Sequence, residues 1–222
     1  MRVLVVTAVP AERDAVTRAW EPDAPTVADT VTVDVIAAGV GPAAAAAGAA
    51  TALTKHPYDL VISAGIGGGF QPVAPLGSLV VADAIVAADL GAETPDGYVP
   101  VTGLGFGTVQ HLPPAALVRA VADATGAVTG TVLTVSTVTG SAARTAELLA
   151  RHPDAAAEAM EGFGVAEAAA LHGVPVLEIR AVSNAVGPRD RAAWRIGPAL
   201  AALTTAFGKL VPVLKGWEQE HD

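Results

Sequence analysis

Phe163-Gly164-Val165-Ala166-Glu167-Ala168-Ala169-Ala170-Leu171-His172-Gly173, followed by Pro175-Val176-Leu177-Glu178-Ile179, is a buried-helix pattern running into a strand. Two polar clusters flank it. Ala159-Met160-Glu161-Gly162 puts a carboxylate where the helix begins, and Arg180-Ala181-Val182-Ser183-Asn184 puts a Ser-Asn pair where the strand ends. In open α/β sheets ligands bind at the carboxyl ends of strands, so the two clusters should face one cleft. Each also has a plain structural reading: Glu161 as a capping carboxylate at a helix N-terminus, Asn184 as the start of a turn.

Outward from this unit, strands and helices alternate. Arg2–Val6 reads as a short buried strand, and Pro10 sits at the first turn of a helix that runs to about Trp20 and stops at Glu21-Pro22. Val31–Ile36 is a second strand. The Ala-rich run after Gly41-Pro42 is a helix to Lys55, since alanine loses no side-chain entropy there. Leu60–Ser63 is a strand ending in the glycine loop Gly65-Ile66-Gly67-Gly68-Gly69, and Leu79–Ala82 and Ala84–Ala88 are apolar with no helical period. Gly91–Pro114 is the longest loop, with a short strand near Tyr98–Val101. Pro113–Ala124 and Ser141–Arg151 are helical, Val128–Val135 is a Thr/Val strand, and a last helix spans about Ile196–Leu210. With no internal repeat, low-complexity tail or linker, residues 1–222 read as one α/β domain with a mixed, largely parallel sheet.

Composition narrows the class. The chain carries 13 basic and 22 acidic side chains, a net charge of −9, which argues against a sequence-independent nucleic-acid binder. The absence of cysteine excludes disulfide and thiolate chemistry and fits a reducing cytoplasm. The N-terminal residues lack the basic and apolar regions of a signal peptide. The uncharged runs Val35–Thr54, Leu60–Ala82 and Ala124–Ala143 are broken by Gly or Pro or rich in Thr, so they read as buried elements rather than membrane spans. The expectation is a soluble protein with neither membrane nor nucleic acid as partner.

Five segments then fall at strand ends, along one edge of the sheet: Thr7–Glu12, Ala64–Phe70, Ser136–Gly140, Met160–Gly162 and Ser183–Gly187, all read as loops. Together they offer two carboxylates, one amide, several hydroxyls and a glycine-rich backbone. The histidines (His56, His111, His152, His172, His221) are scattered, and nothing in this residue set calls for a metal or a cofactor. The glycine run matches neither the dinucleotide fingerprint nor the P-loop; alone it signals only close backbone approach to a ligand.

These motifs resemble the nucleoside phosphorylase and nucleosidase superfamily over about Val3 to Leu203. The resemblance rests on Thr7-Ala8-Val9-Pro10-Ala11-Glu12, Ser63-Ala64-Gly65-Ile66-Gly67-Gly68-Gly69, Thr137-Val138-Thr139-Gly140-Ser141, Ala159-Met160-Glu161-Gly162 and Arg180-Ala181-Val182-Ser183-Asn184. Within that superfamily, Ser183-Asn184-Ala185-Val186-Gly187-Pro188-Arg189 with downstream Trp194 resembles the branch that hydrolyses futalosine, a nucleoside of menaquinone biosynthesis. The methylthioadenosine/S-adenosylhomocysteine nucleosidases, which carry Asp where this chain has Asn184, are the enzymatic alternative. A non-catalytic nucleoside-binding module is the other, and Glu12 argues against it.

The resemblance implies a single-domain, three-layer nucleoside phosphorylase-like fold and assigns roles to named residues. Glu161 and Met160 fall where the family binds ribose, and Glu12 where nucleosidases hold the attacking water as general base. Glu12 on a first helical turn also has a plain reading, favourable placement near the positive end of the helix dipole. Thr137 and Val138 fall where the purine is stacked and its edge met, although nucleosidases often carry an aromatic residue at the position of Thr137. Gly65, Gly67 and Ser183 line the same edge. Asn184 can donate to N7 or O6 of a 6-oxopurine, which an ionised Asp cannot do. Arg189 and Arg191 are candidates for gripping the benzoate of the futalosine tail. The first loop and Ser63-Ala64-Gly65 lack the arginines with which phosphorylases hold phosphate. The family also forms homo-oligomers in which a neighbouring subunit closes the 5′ side of the pocket, and Gly103-Leu104-Gly105-Phe106-Gly107 is the candidate loop for that contact.

Overall fold

The computed structural model describes residues 1–20 and 31–219. The expected helix stop at Glu21-Pro22 and His221 lie outside the described residues. In chain order the strands are β1 (Arg2–Thr7), β2 (Thr32–Ala37), β3 (Leu60–Gly69), β4 (Leu79–Ala87), β5 (Gly91–Thr94), β6 (Gly97–Pro100), β7 (Gln110–His111), β8 (Val128–Thr134), β9 (Ala155–Ala159) and β10 (Val176–Ala185). The helices are α1 (Pro10–Thr17), α2 (Pro42–Leu53), α3 (Ala115–Thr125), α4 (Ala142–Arg151), α5 (Gly162–Leu171), α6 (Ile196–Gly208) and α7 (Leu210–Gln219).

The main sheet runs β10-β4-β8-β9-β3-β1-β2, and β10 also pairs with β3, which closes five strands into a ring extended by β1 and β2. Parallel pairs (β1–β2, β1–β3, β3–β10, β4–β8, β8–β9) outnumber the antiparallel β4–β10, β3–β9 and β4–β7. The sheet is therefore mixed and largely parallel, as expected from the alternation of elements. Two large apolar clusters pack against it. One is built around α2 and α5, the other around α3, α6 and α7.

Three expectations are corrected. The glycine run is not a loop: Gly65–Gly69 continues β3, pairing with Arg180–Ala185 of β10 and, at Gly68 and Gly69, with β9. Ser183 and Asn184 are likewise within β10 and not in a turn. Ala155–Ala159 was not recognised as a strand, because alanine favours helices. The segment is nevertheless held between β8 and β3, with all five residues buried. The long Gly91–Pro114 segment contains the β5–β6 hairpin and a 3₁₀ turn at Val101–Leu104.

Among the described residues no single helix is long and apolar enough to cross a membrane. Only α6 and α7 together pass by length and composition, bent by 43°. Their Leu203, Phe207, Leu210 and Leu214 are buried in the core.

Small residues let α2 and α5 approach closely, and the contact reaches the sheet edge. A Cβ at Gly164 would stand 2.1 Å from the Pro42 carbonyl oxygen, next to Gly41, whose N–H binds Glu161 at 3.1 Å. Gly164→Ala should destabilise the fold by about 1–3 kcal/mol, the usual range for overpacking. It should lower activity as well, because Gly41 must move. Urea denaturation checks this, and an unchanged midpoint would contradict it.

Candidate active site

The sheet edge carries a cavity of about 390 Å³ lined by Glu12, Val138, Met160, Glu161, Asn184 and Trp194, among others. A larger, shallower groove between β2 and α2 holds Asp34, Lys55, His56 and Tyr58, but none of the strand-end carboxylates or the amide.

Glu12 is at the third position of α1 and is 4% exposed. Its Oε2 accepts from the backbone N–H groups of Ala8 (3.0 Å) and Val9 (3.3 Å), and its Oε1 accepts from Ile66 N–H (2.9 Å). Glu12 thus stands on the first turn of α1 but is buried there rather than solvated, and the same carboxylate lines the cavity. Three donors fix its orientation. Glu161 is the N-cap residue of α5, but its side chain makes no bond to the helix and so is not a capping carboxylate: Oε1 accepts from Gly41 N–H, and Oε2 accepts from Met160 N–H (3.3 Å) and Arg180 Nη1 (3.2 Å).

Arg180 binds these parts together from within the sheet. Its side chain is 1% exposed, and each of its three nitrogens donates once: Nε to Glu178 Oε1 (2.8 Å), Nη1 to Glu161 and Nη2 to Ser63 Oγ (3.0 Å). Burial works to lower the Arg180 pKa, but Glu178, Glu161 and Glu12 outweigh it and the value lies above the ordinary one. Gly65 makes room for this array, since a Cβ there would stand 2.6 Å from Glu12 Oε1 and 2.8 Å from Arg180 Nη1. Gly67 is equally constrained by the Glu158 carbonyl at 2.9 Å.

Across the cavity Asn184 is half-buried. Its Oδ1 accepts from Ser183 Oγ (2.9 Å) and its Nδ2 donates to the Ala185 carbonyl (3.0 Å), which leaves one Nδ2–H unused by these contacts. Val138 lines the cavity, whereas Thr137 is exposed and outside its wall. Arg189 and Arg191 are exposed and also outside it, though both stand over the ring of the cavity residue Trp194, at 5.3 and 6.0 Å.

Two carboxylates were missed. Glu178 is fully buried beneath Arg180, and burial pushes its carboxyl up in pKa against the pull of Arg180. A signal was present: a charged residue in an otherwise apolar strand, two positions from Arg180 and so on the same face. Glu158 lines the cavity and accepts from Thr139 N–H (2.8 Å) and Thr139 Oγ1 (2.5 Å). It lies in the unrecognised strand β9. Among the described residues no group of three or more His, Cys, Asp or Glu is arranged to hold a metal ion.

A ring of mixed strands, with two anchored carboxylates and an amide lining one cavity at its strand ends, is what the resemblance implies. Comparison with known proteins agrees, and the chain belongs to the Phosphorylase superfamily, whose sequence profile matches residues 7–211. It is 69% identical to the futalosine hydrolase of Streptomyces coelicolor, with 98% of each chain covered. It is 47% identical to that of Acidothermus cellulolyticus, covering 93% of this chain and 89% of the other. The fold is similar to a methylthioadenosine/S-adenosylhomocysteine nucleosidase from Colwellia psychrerythraea solved with adenine (TM-score 0.77, 22% identity, 97% and 95% of the two chains covered).

Burial pushes the Glu158 carboxyl up in pKa, against the Thr139 donors. The sign follows from linkage: stability from Glu158 is fullest below the unfolded carboxylate value, about 4.3, and is lost as pH rises through the higher folded value. Glu158→Gln can still accept from Thr139 N–H and donate to its hydroxyl. The variant should therefore gain stability on wild type as pH rises through the carboxylate range, seen as a Tm difference that grows with pH. Thermal melts across that range test this, and a difference constant with pH would contradict it.

Proposed function

We propose that this protein hydrolyses the N-glycosidic bond of futalosine in the cytoplasm, releasing hypoxanthine and leaving dehypoxanthinyl futalosine, a step of menaquinone biosynthesis. It is an N-glycosidase. The observation that carries water over phosphate as nucleophile is the state of the α1 N-terminus. Backbone N–H groups at such a terminus readily hold an anion, but here Ala8, Val9 and Ile66 all donate to Glu12. Phosphate entering there would meet the charge of Glu12. Arg13 is turned to the surface and pairs with Asp14 at 2.7 Å, and Arg180 is buried and not part of the cavity wall.

The residues divide the reaction between them. Glu161, anchored on both oxygens, accepts from the ribose hydroxyls, with Met160 against the sugar. As the glycosidic bond breaks, the ribose becomes cationic, and the two buried carboxylates favour that charge. Glu12 accepts a proton from the water that attacks C1′. The electron pair of the bond leaves with the base, where it is delocalised toward N7 and O6 until the anion takes a proton from solvent, and Glu12 returns the water's proton to solvent. Asn184, its amide oxygen held by Ser183, donates to that edge; Val138 packs on the base beside Thr137, and Gly65 and Gly67 keep the wall close. Arg189 and Arg191, ranged along Trp194, receive the benzoate. A second copy of the chain covers the 5′ side, which fits the exposure of Phe106 (62%) and Leu112 (71%).

The base contact makes the reading testable. The wild type should release hypoxanthine from futalosine and little adenine from methylthioadenosine, measured by chromatography of the free purine. Sites built on such a polar contact discriminate by up to about 10⁴–10⁵. Asn184→Asp should slow the hypoxanthine reaction and narrow the preference, since an ionised carboxylate only accepts. A wild type that prefers methylthioadenosine would overturn the assignment.

A further inference from the structure

Glu178 touches nothing that reacts, yet the site is built around it. The residue is 0% exposed, gives Oε1 to Arg180 Nε at 2.8 Å and leaves Oε2 without a hydrogen-bond donor. Space has been cleared for it: a Cβ at residue 162 would lie 2.1 Å from Oε2, so glycine follows Glu161 where the carboxylate packs. Burying one more carboxylate is costly, by several kcal/mol for an isolated ion. Anchoring Glu161 does not require it, because Arg180 and the Met160 and Gly41 N–H groups already do so.

Burial favours the neutral acid at Glu178, but Oε1 faces the Arg180 guanidinium at 2.8 Å and Oε2 has no acceptor for a proton, so the geometry is that of an ion pair, and charge gives the reason for it. One guanidinium stands among three carboxylates. Arg180 faces Glu178 from the same strand, Glu161 faces it from the head of α5, and Glu12 lies across Gly65 on α1. β3 contributes the uncharged Ser63, Asp83 of β4 is exposed, and α6 has no charged residue. In the proposed hydrolysis a neutral nucleoside acquires positive charge on its ribose, and a cation directly behind Glu161 opposes that. We propose that Glu178 is a positioning residue that cancels the field of Arg180 at the ribose, so that Arg180 can anchor Glu161 without offsetting its charge. Arg180 supplies geometry and Glu178 removes its electrostatic penalty on the transition state.

The inference rests on the hydrolase reading, and the test separates the two. Glu178→Gln keeps the volume and an oxygen for Arg180 Nε but removes the charge. Its kcat for futalosine should fall about tenfold with KM within about threefold, because the ground-state sugar is neutral and only the transition state feels the change. Losing a negative neighbour makes the remaining carboxylates easier to ionise. The acid limb of the kcat–pH profile should therefore move to lower pH. Glu178→Asp, which keeps the charge, should leave the limb in place. A merely space-filling Glu178 would alter kcat or stability but not the limb, so a limb in its wild-type position in Glu178→Gln overturns the proposal. If that variant does not fold, Gly162→Ala/Glu178→Ala refills part of the space and must show the same downward movement, or the proposal fails. A wild type that releases no hypoxanthine overturns the functional reading and this inference with it.

Discussion

Arg180 is a guanidinium sealed inside a β-sheet, and every neighbouring element accommodates it. A fully buried cation requires acceptors for its N–H groups, and these come from three places in the chain: Glu178 on its own strand, Glu161 at the head of α5 and Ser63 on β3. Breaking a buried pair of this kind typically costs about 3–5 kcal/mol. The constraint extends to residues with no side chain. Gly65 has no Cβ because Arg180 and Glu12 meet over it, and Gly162 has none because Glu178 lies against it. The glycines in this region thus mark where functional side chains approach the backbone.

Function follows from which polar groups are already satisfied. Glu12 takes the Ala8, Val9 and Ile66 N–H groups, and Arg180 is not part of the cavity wall, which leaves the wall, among the described residues, without a cation to hold an anion. What remains along the cavity is the three carboxylates of Glu12, Glu158 and Glu161, an amide with its oxygen tied back, and the apolar faces of Val138, Met160 and Trp194. Such a surface favours a sugar that becomes cationic and a base that leaves with negative charge.

Much of this was legible in the sequence. The helix-to-strand unit from Phe163 to Ile179, flanked by Glu161 and Asn184, stands in the structure where the pattern put it, and Glu12, Glu161 and Asn184 share one cavity. The misread parts have a common cause. Gly65–Gly69 and Ala155–Ala159 are strands because neighbouring strands pair with them, while local propensity points to loop and helix. Thr137 sits outside the cavity because the chain turns between it and Val138, which pattern alone does not show. Glu158 and Glu178 were passed over as strand residues, since burial of a carboxylate becomes visible only once its partners are placed.

The central claim is that water, held by Glu12 in a cavity lined with carboxylates, attacks C1′ of a hypoxanthine nucleoside. Incubating the purified protein with futalosine in ¹⁸O-enriched water containing inorganic phosphate tests it most directly, with mass spectrometry of the sugar product. The account predicts one ¹⁸O atom in that product, free hypoxanthine in equal amount and a rate independent of phosphate. A phosphate-dependent rate with a sugar 1-phosphate as product would contradict it.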